Sequence, residues 1–219
     1  MTQCVKGDWE AIPITFKVTM NIDDMLYTFY TKDGVLIGVR NMRFNDAAYL
    51  VDIFENMSSD SRYQRFHQST DHLHPGRIWR EAENIAHMDH KKQDGLIAFA
   101  DLPDKSNAPV GAARYVCLGD GRAETAVSVR DDMQGQGIGT ELMCYLAEEA
   151  RHNGIQKLVA DVLNNNKGVI GVLNKLPYKM TRYPEGVYST LIVHLNWLKE
   201  EKQELLTANG ISPGKKTAK

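Results

Sequence analysis

Val127-Ser-Val-Arg-Asp-Asp-Met-Gln-Gly-Gln-Gly-Ile-Gly-Thr140 is the stretch on which the fold turns. An alternating run ends near Arg130, a short polar connection follows, and three glycines at alternate positions lead into a periodic apolar pattern. Gly135, Gly137 and Gly139 leave backbone N–H groups uncovered by side chains. Successive N–H groups at a helix N-terminus form a nest for phosphate oxygens, and the helix dipole favours the same charge. A Walker loop requires lysine before the Ser or Thr at the helix start, and Gly139-Thr140 has none. A Rossmann fingerprint requires a glycine turn tight against the strand, whereas Arg130 to Gln134 intervene here and Thr140 takes the last position.

The flanking sequence predicts a mixed α/β domain. Leu26–Thr31 and Val35–Arg40 are β-rich runs around Lys32-Asp-Gly34, a hairpin signal. A helix is expected from Asn45 to about Met57, with further short helices across residues 58–90. Strands are expected at Leu96–Ala100, Val110–Leu118 and Arg122–Val129. A helix is expected from Gln136 to His152, stopped by Asn153-Gly154. Ile155–Leu163 is an apolar strand of the kind buried on both faces, and Asn164-Asn-Asn166 opens a helix that Pro177 ends. A last strand is expected at 186–195 and a surface helix at 196–207. These elements divide the chain into an N-terminal arm (1–25), one domain (26–195), and a C-terminal helix with a disordered tail (196–219).

Composition sets outer bounds. Apolar residues make up 42% and charged residues 25% of 219, the mixture of an ordinary globular domain. A net charge of -2 gives no reason to expect a nucleic-acid partner. There is no long apolar run, and Met-Thr-Gln-Cys-Val-Lys lacks a leader's apolar stretch, so no membrane partner is expected. Cys4, Cys117 and Cys144 are scattered and odd in number, as expected of reduced thiols in a cytoplasmic protein. His72-Leu-His74 is a poor zinc spacing with no cysteine nearby, so no metal is expected.

Gln134-x-x-Gly137-x-Gly139 resembles the pyrophosphate loop by which the GNAT superfamily of N-acetyltransferases holds CoA. Asp161-Val-Leu-Asn-Asn-Asn-Lys-Gly-Val-Ile-Gly-Val-Leu-Asn-Lys-Leu-Pro-Tyr178 is similar to that superfamily's second block, with Pro177 where glycine is usual. Ser58-Ser-Asp-Ser-Arg-Tyr-Gln-Arg-Phe66, together with Ala123–Gly139, resembles the acetyltransferase domain of bacterial protein lysine acetyltransferases; the likeness spans about residues 36–195. It implies a GNAT fold of α+β type: a mixed, mostly antiparallel central sheet flanked by helices and splayed between two central strands. The implied co-substrate is acetyl-CoA, and the implied acceptor is a primary amine, on a protein or peptide lysine or on a small molecule. A non-catalytic acyl-CoA sensor is the alternative class, and a homodimer is among the expected assemblies.

The likeness also distributes roles. Val127, Ser128, Val129, Gln134, Gly135, Gln136, Gly137, Ile138, Gly139, Thr140 and Asn166 are expected to hold acetyl-CoA, with a backbone N–H near Val127 or Ser128 on the thioester carbonyl. Glu124, one strand position out of phase with Ala123 and Thr125, is either the general base that deprotonates the amine or a solvated, salt-bridged carboxylate. Tyr178 is either the proton donor to the leaving thiolate or an aromatic core residue.

Overall fold

The computed structural model describes residues 21–87, 89 and 92–199. Most of the expected arm and tail therefore lies outside the described residues. A hairpin of β1 (Tyr27–Tyr30) and β2 (Leu36–Asn41) is followed by α1 (Ala47–Glu55), α2 (Ser59–Phe66) and α3 (Pro75–Ala86). Then come β3 (Gln93–Ala100), β4 (Ala108–Gly119), β5 (Arg122–Val129), α4 (Ile138–His152), β6 (Lys157–Leu163), α5 (Lys167–Lys175), β7 (Tyr178–Glu185) and β8 (Tyr188–Leu198).

The strands form one sheet in the order β1-β2-β3-β4-β5-β6-β8-β7, antiparallel throughout except where β5 meets β6. Alternation along the strands gives the sheet two cores. Leu96, Ala98, Ala113, Tyr115 and Ala123 face Ile138, Leu142, Met143 and Leu146 of α4. Ile97, Phe99 and Ala112 instead face Ile53 and Met57 at the end of α1. Beside the second core, Arg40 and Asp46 form a buried bidentate pair at 2.7 and 2.9 Å, with the guanidinium over the Phe99 ring. That pair fixes the entry of α1 against β2.

Two expectations at the C-terminal end are corrected. Residues 178–185 are a strand that the periodicity did not signal. Residues 196–198, expected to open a helix, extend β8, with Leu198 opposite Tyr178. β7 is the sheet's edge, where Pro184 costs no ladder bond to a further neighbour. The remainder of the expected 196–207 helix, from residue 200, is outside the described residues.

Candidate active site

The parallel pair β5–β6 is short. Its rungs join Arg122, Ala123 and Glu124 to Lys157, Leu158 and Val159, and there they stop. Beyond Glu124 the two strands are drawn apart by different anchors. At the end of β5 the Arg130 N–H bonds Val110 and the Asp131 N–H bonds Asn56. The buried Arg130 guanidinium grips Asp132 at 2.7 and 3.0 Å and Asn56 at 3.1 Å, which ties β5 toward α1. The end of β6 is tied the other way: the Asn164 N–H bonds Val187, and its side-chain amide donates to the Gly186 carbonyl at 2.9 Å. Between them opens a cleft of about 750 Å³.

α2 stands across the mouth of this cleft. Ser58 caps the helix by accepting from the Ser61 N–H, and the Ser58 N–H donates to Asp131. Hydrogen bonds from Ser58 and Ser61 outweigh desolvation and hold the Asp131 carboxyl below the usual carboxylate range. Gln64 bridges from α2 to Asn165 at 3.2 Å, and Gln134 donates to Ser61, Asp131 and the Val129 carbonyl. His74, one of the histidines weighed as a metal ligand, accepts from the Gly76 N–H and caps α3. Among the described residues no group of three or more His, Cys, Asp or Glu is placed to hold a metal ion.

The cradle forms as its glycines require. Gly135 and Gly137 have φ of 75° and 99°, conformations costly for any residue with a Cβ. α4 begins at Ile138, two residues later than expected, because Gly137 serves as its N-cap and accepts from the Thr140 and Glu141 N–H groups. A Cβ built on Gly137 would meet nothing within 4 Å, so the loop borders open space in which a phosphate fits. On the opposite wall Asn166 accepts from the Val169 N–H at 3.0 Å and caps α5.

Ten of the eleven residues expected to hold acetyl-CoA line this one cleft: Val127, Ser128, Val129, Gln134, Gly135, Gly137, Ile138, Gly139, Thr140 and Asn166. Gln136 does not; its side-chain amide donates to Asp33. Among the described residues the Thr125–Val129 stretch has no strand partner on its β6 side, which opens its backbone groups to a ligand. The donor set suits a thioester nucleotide: an N–H nest for phosphates, an open strand edge for an amide-bearing arm, and Lys167 and Lys175 along the wall.

Glu124 occupies the last rung of the pair, exposed and within the lining. Among the described residues it makes no ion pair within 4.0 Å, so the salt-bridge alternative finds no partner. Of the two readings of Tyr178, its position accords with the aromatic core residue. It is 1% exposed, outside the lining, and its hydroxyl donates to Glu148 on α4. Burial and the Glu148 carboxylate push its hydroxyl well above the ordinary tyrosine range, as suits a core residue.

Two residues near the site, Arg114 and Asp161, went unsignalled. A third, Arg65, belongs to the Ser58–Phe66 stretch, where it is read either as lining the substrate entrance or as an ordinary exposed helix charge. Arg114 interrupts an apolar strand and sits opposite Ala126, on the same sheet face as Glu124. Arg65 reaches the same region from α2; burial and Arg114 push it down to about 10 while Glu124 pulls it back up. Among the described residues, the Nε atoms of both arginines are enclosed without a hydrogen-bond partner. Asp161, two residues beyond the Glu124 partner Val159, adds another exposed carboxylate to the lining, along with Glu124 and Asp60. Sheet register, which would have grouped Arg114 and Asp161 with Glu124, is invisible before the strands are paired.

Residues 50–177 match the Acetyltransferase (GNAT) family. The GNAT domain of S. lividans PAT is similar in structure, with 28% identity and a TM-score of 0.64 over 76% of this chain and 94% of that one. Acetyltransferase PA5475 of Pseudomonas aeruginosa is 25% identical over 163 residues, covering 74% of this chain and 84% of its own. The L-methionine sulfoximine/L-methionine sulfone acetyltransferase of the same organism is 36% identical over 117 residues, 48% of this chain and 66% of its own. With a splayed sheet, a glycine cradle and an asparagine-capped helix around one cleft, this chain belongs to the GNAT acetyltransferase family.

Proposed function

We propose that the protein transfers the acetyl group of acetyl-CoA to the side-chain amine of a protein lysine in the cytoplasm. The observation that carries this reading is the position of Glu124, a carboxylate with no ion-pair partner among the described residues, at the vertex of the cleft where the arm of the co-substrate would end. There it accepts the proton of an incoming ammonium, directly or through one water. The amine nitrogen then bonds the acetyl carbon, the carbon–sulfur bond breaks, and the second proton of the nitrogen passes through solvent to the departing thiolate. A free backbone N–H on the open edge of β5 steadies the charge that develops on the carbonyl oxygen. Asp161 adds negative charge where a cationic side chain enters, and the likeness of Ser58–Phe66 to lysine acetyltransferases supports a protein acceptor.

A second reading is favoured by Arg65 and Arg114. Two guanidinium groups whose enclosed Nε atoms have no partner among the described residues, Arg65 in the cleft lining and Arg114 next to it, suit an acceptor carrying both amine and carboxylate, that is, a free amino acid or analogue. The test follows thiol release from acetyl-CoA with lysine peptides, protein pools and free amino acids as separate acceptors. Release with peptide or protein supports the lysine reading. Release with amino acids alone, lost in Arg114→Met, selects the second. Binding of acetyl-CoA without release on any pool points to a sensor.

A further inference from the structure

The hairpin turn Lys32-Asp33-Gly34 lies about a hundred residues from the glycine loop in sequence and against it in space. Lys32 Nζ donates to the Gly135 carbonyl at 2.8 Å, and Asp33 accepts from the side chain of Gln136. The strand behind the turn is clamped as well: the Tyr27 ring stacks on Tyr145 of α4, with centroids 4.8 Å apart and planes 22° apart. The turn is thus held on the first residues of the cradle by two hydrogen bonds and an aromatic stack.

An ammonium carries three N–H donors, and Lys32 spends one on Gly135. Among the described residues it has no carboxylate within ion-pair distance, and it is exposed. It therefore brings an uncompensated positive charge and two free donors to the rim of an N–H nest. It also covers a carbonyl whose partial negative charge would otherwise face an anionic ligand. We propose that Lys32 is a phosphate-binding residue of the acetyl-CoA site, contributed by the N-terminal hairpin. This rests on the assignment of acetyl-CoA to the cleft, and it adds a contact from outside the glycine loop and α5.

The test compares three donors: acetyl-CoA, its analogue lacking the 3′-phosphate, and S-acetylpantetheine, which lacks all phosphates. Binding is read by calorimetry and transfer by thiol release, for the wild type, Lys32→Met and Lys32→Arg. A partly exposed charge-assisted bond leads to an expected rise of about tenfold in Kd for acetyl-CoA in Lys32→Met. Lys32→Arg should restore it to within about threefold. kcat/KM with S-acetylpantetheine should change by less than about twofold. A loss that persists with the 3′-dephospho donor assigns the contact to the pyrophosphate, and a loss confined to acetyl-CoA assigns it to the 3′-phosphate. An equal loss with S-acetylpantetheine would mean that Lys32 only clamps the loop, and would overturn the inference. Unchanged Kd in Lys32→Met, with the wild type binding acetyl-CoA, overturns the inference alone; a wild type that does not bind acetyl-CoA removes the donor assignment as well.

Discussion

Replacing Glu124 by glutamine removes one proton acceptor and little else. The residue is exposed, its backbone is held in ladders to both β4 and β5's parallel neighbour β6, and glutamine has the same shape. Stability should therefore stay within about 0.5 kcal/mol of wild type, and the Kd for acetyl-CoA should be unaffected. The kinetic effect should be large. A lysine amine with pKa near 10.4 is neutral in only about one molecule in a thousand at pH 7.4, and a positioned base contributes about 10²–10⁴. The expected loss in kcat/KM is thus about 10²–10³ at pH 7.4. It should shrink by about tenfold per pH unit toward pH 9.5, as bulk solvent supplies the neutral amine that Glu124 would otherwise make. The assay is initial-rate thiol release at saturating acetyl-CoA from pH 7 to 9.5, with calorimetric binding in parallel. A variant within about threefold of wild type at pH 7.4 would refute the assignment of Glu124 as base.

Three further outcomes are expected. Gly137→Glu should abolish acetyl-CoA binding, because its carboxylate would enter the space that the open Cβ direction leaves for phosphate; Gly137→Ala should cost about 1–2 kcal/mol through its φ of 99° alone, read by denaturant unfolding. Tyr178→Phe should keep kcat/KM within about twofold while losing roughly 1 kcal/mol of stability with the bond to Glu148, and a large fall in turnover with stability intact would return Tyr178 to the chemistry. Burial, then Lys157 and Lys179, hold the folded His194 pKa below its ordinary 6.5. Its stabilising share is therefore present above about pH 6.5 and lost as pH falls through the folded value, so the melting temperature of His194→Gln should drop less than wild type between pH 7.5 and 5.5.

How much was legible beforehand differs from element to element. Asp33-Gly34 between two β-rich runs specified the hairpin, since few residues other than glycine take the φ of 81° found at Gly34. The glycines at 135 and 137 specified the cradle for the same reason, and Asn166 specified the start of α5 through a cap only a short polar side chain makes. β7 was missed because an edge strand needs apolar contact on one face only, and Tyr-Lys-Met-Thr-Arg-Tyr-Pro carries a weak alternation ending in proline. The end of β8 was misjudged because Trp197-Leu198-Lys199 has local preferences that suit a helix, and the ladder to Tyr178 overrides them.

By itself, then, the sequence determined what is written in local backbone chemistry: where φ must be positive, where a helix can be capped, and which residues alternate. Those constraints act over a few residues and survive without a tertiary structure. Only the folded chain decided what depends on distant partners. It set the divergence of β5 and β6 through Arg130 on one side and Asn164 on the other. It sent Tyr178 to the core, gathered Arg65, Asp161 and Glu124 around one opening, and set Arg114 beside Arg65. It also brought Lys32 onto Gly135, a contact that no local pattern encodes because it exists only once the sheet has folded the hairpin back over α4.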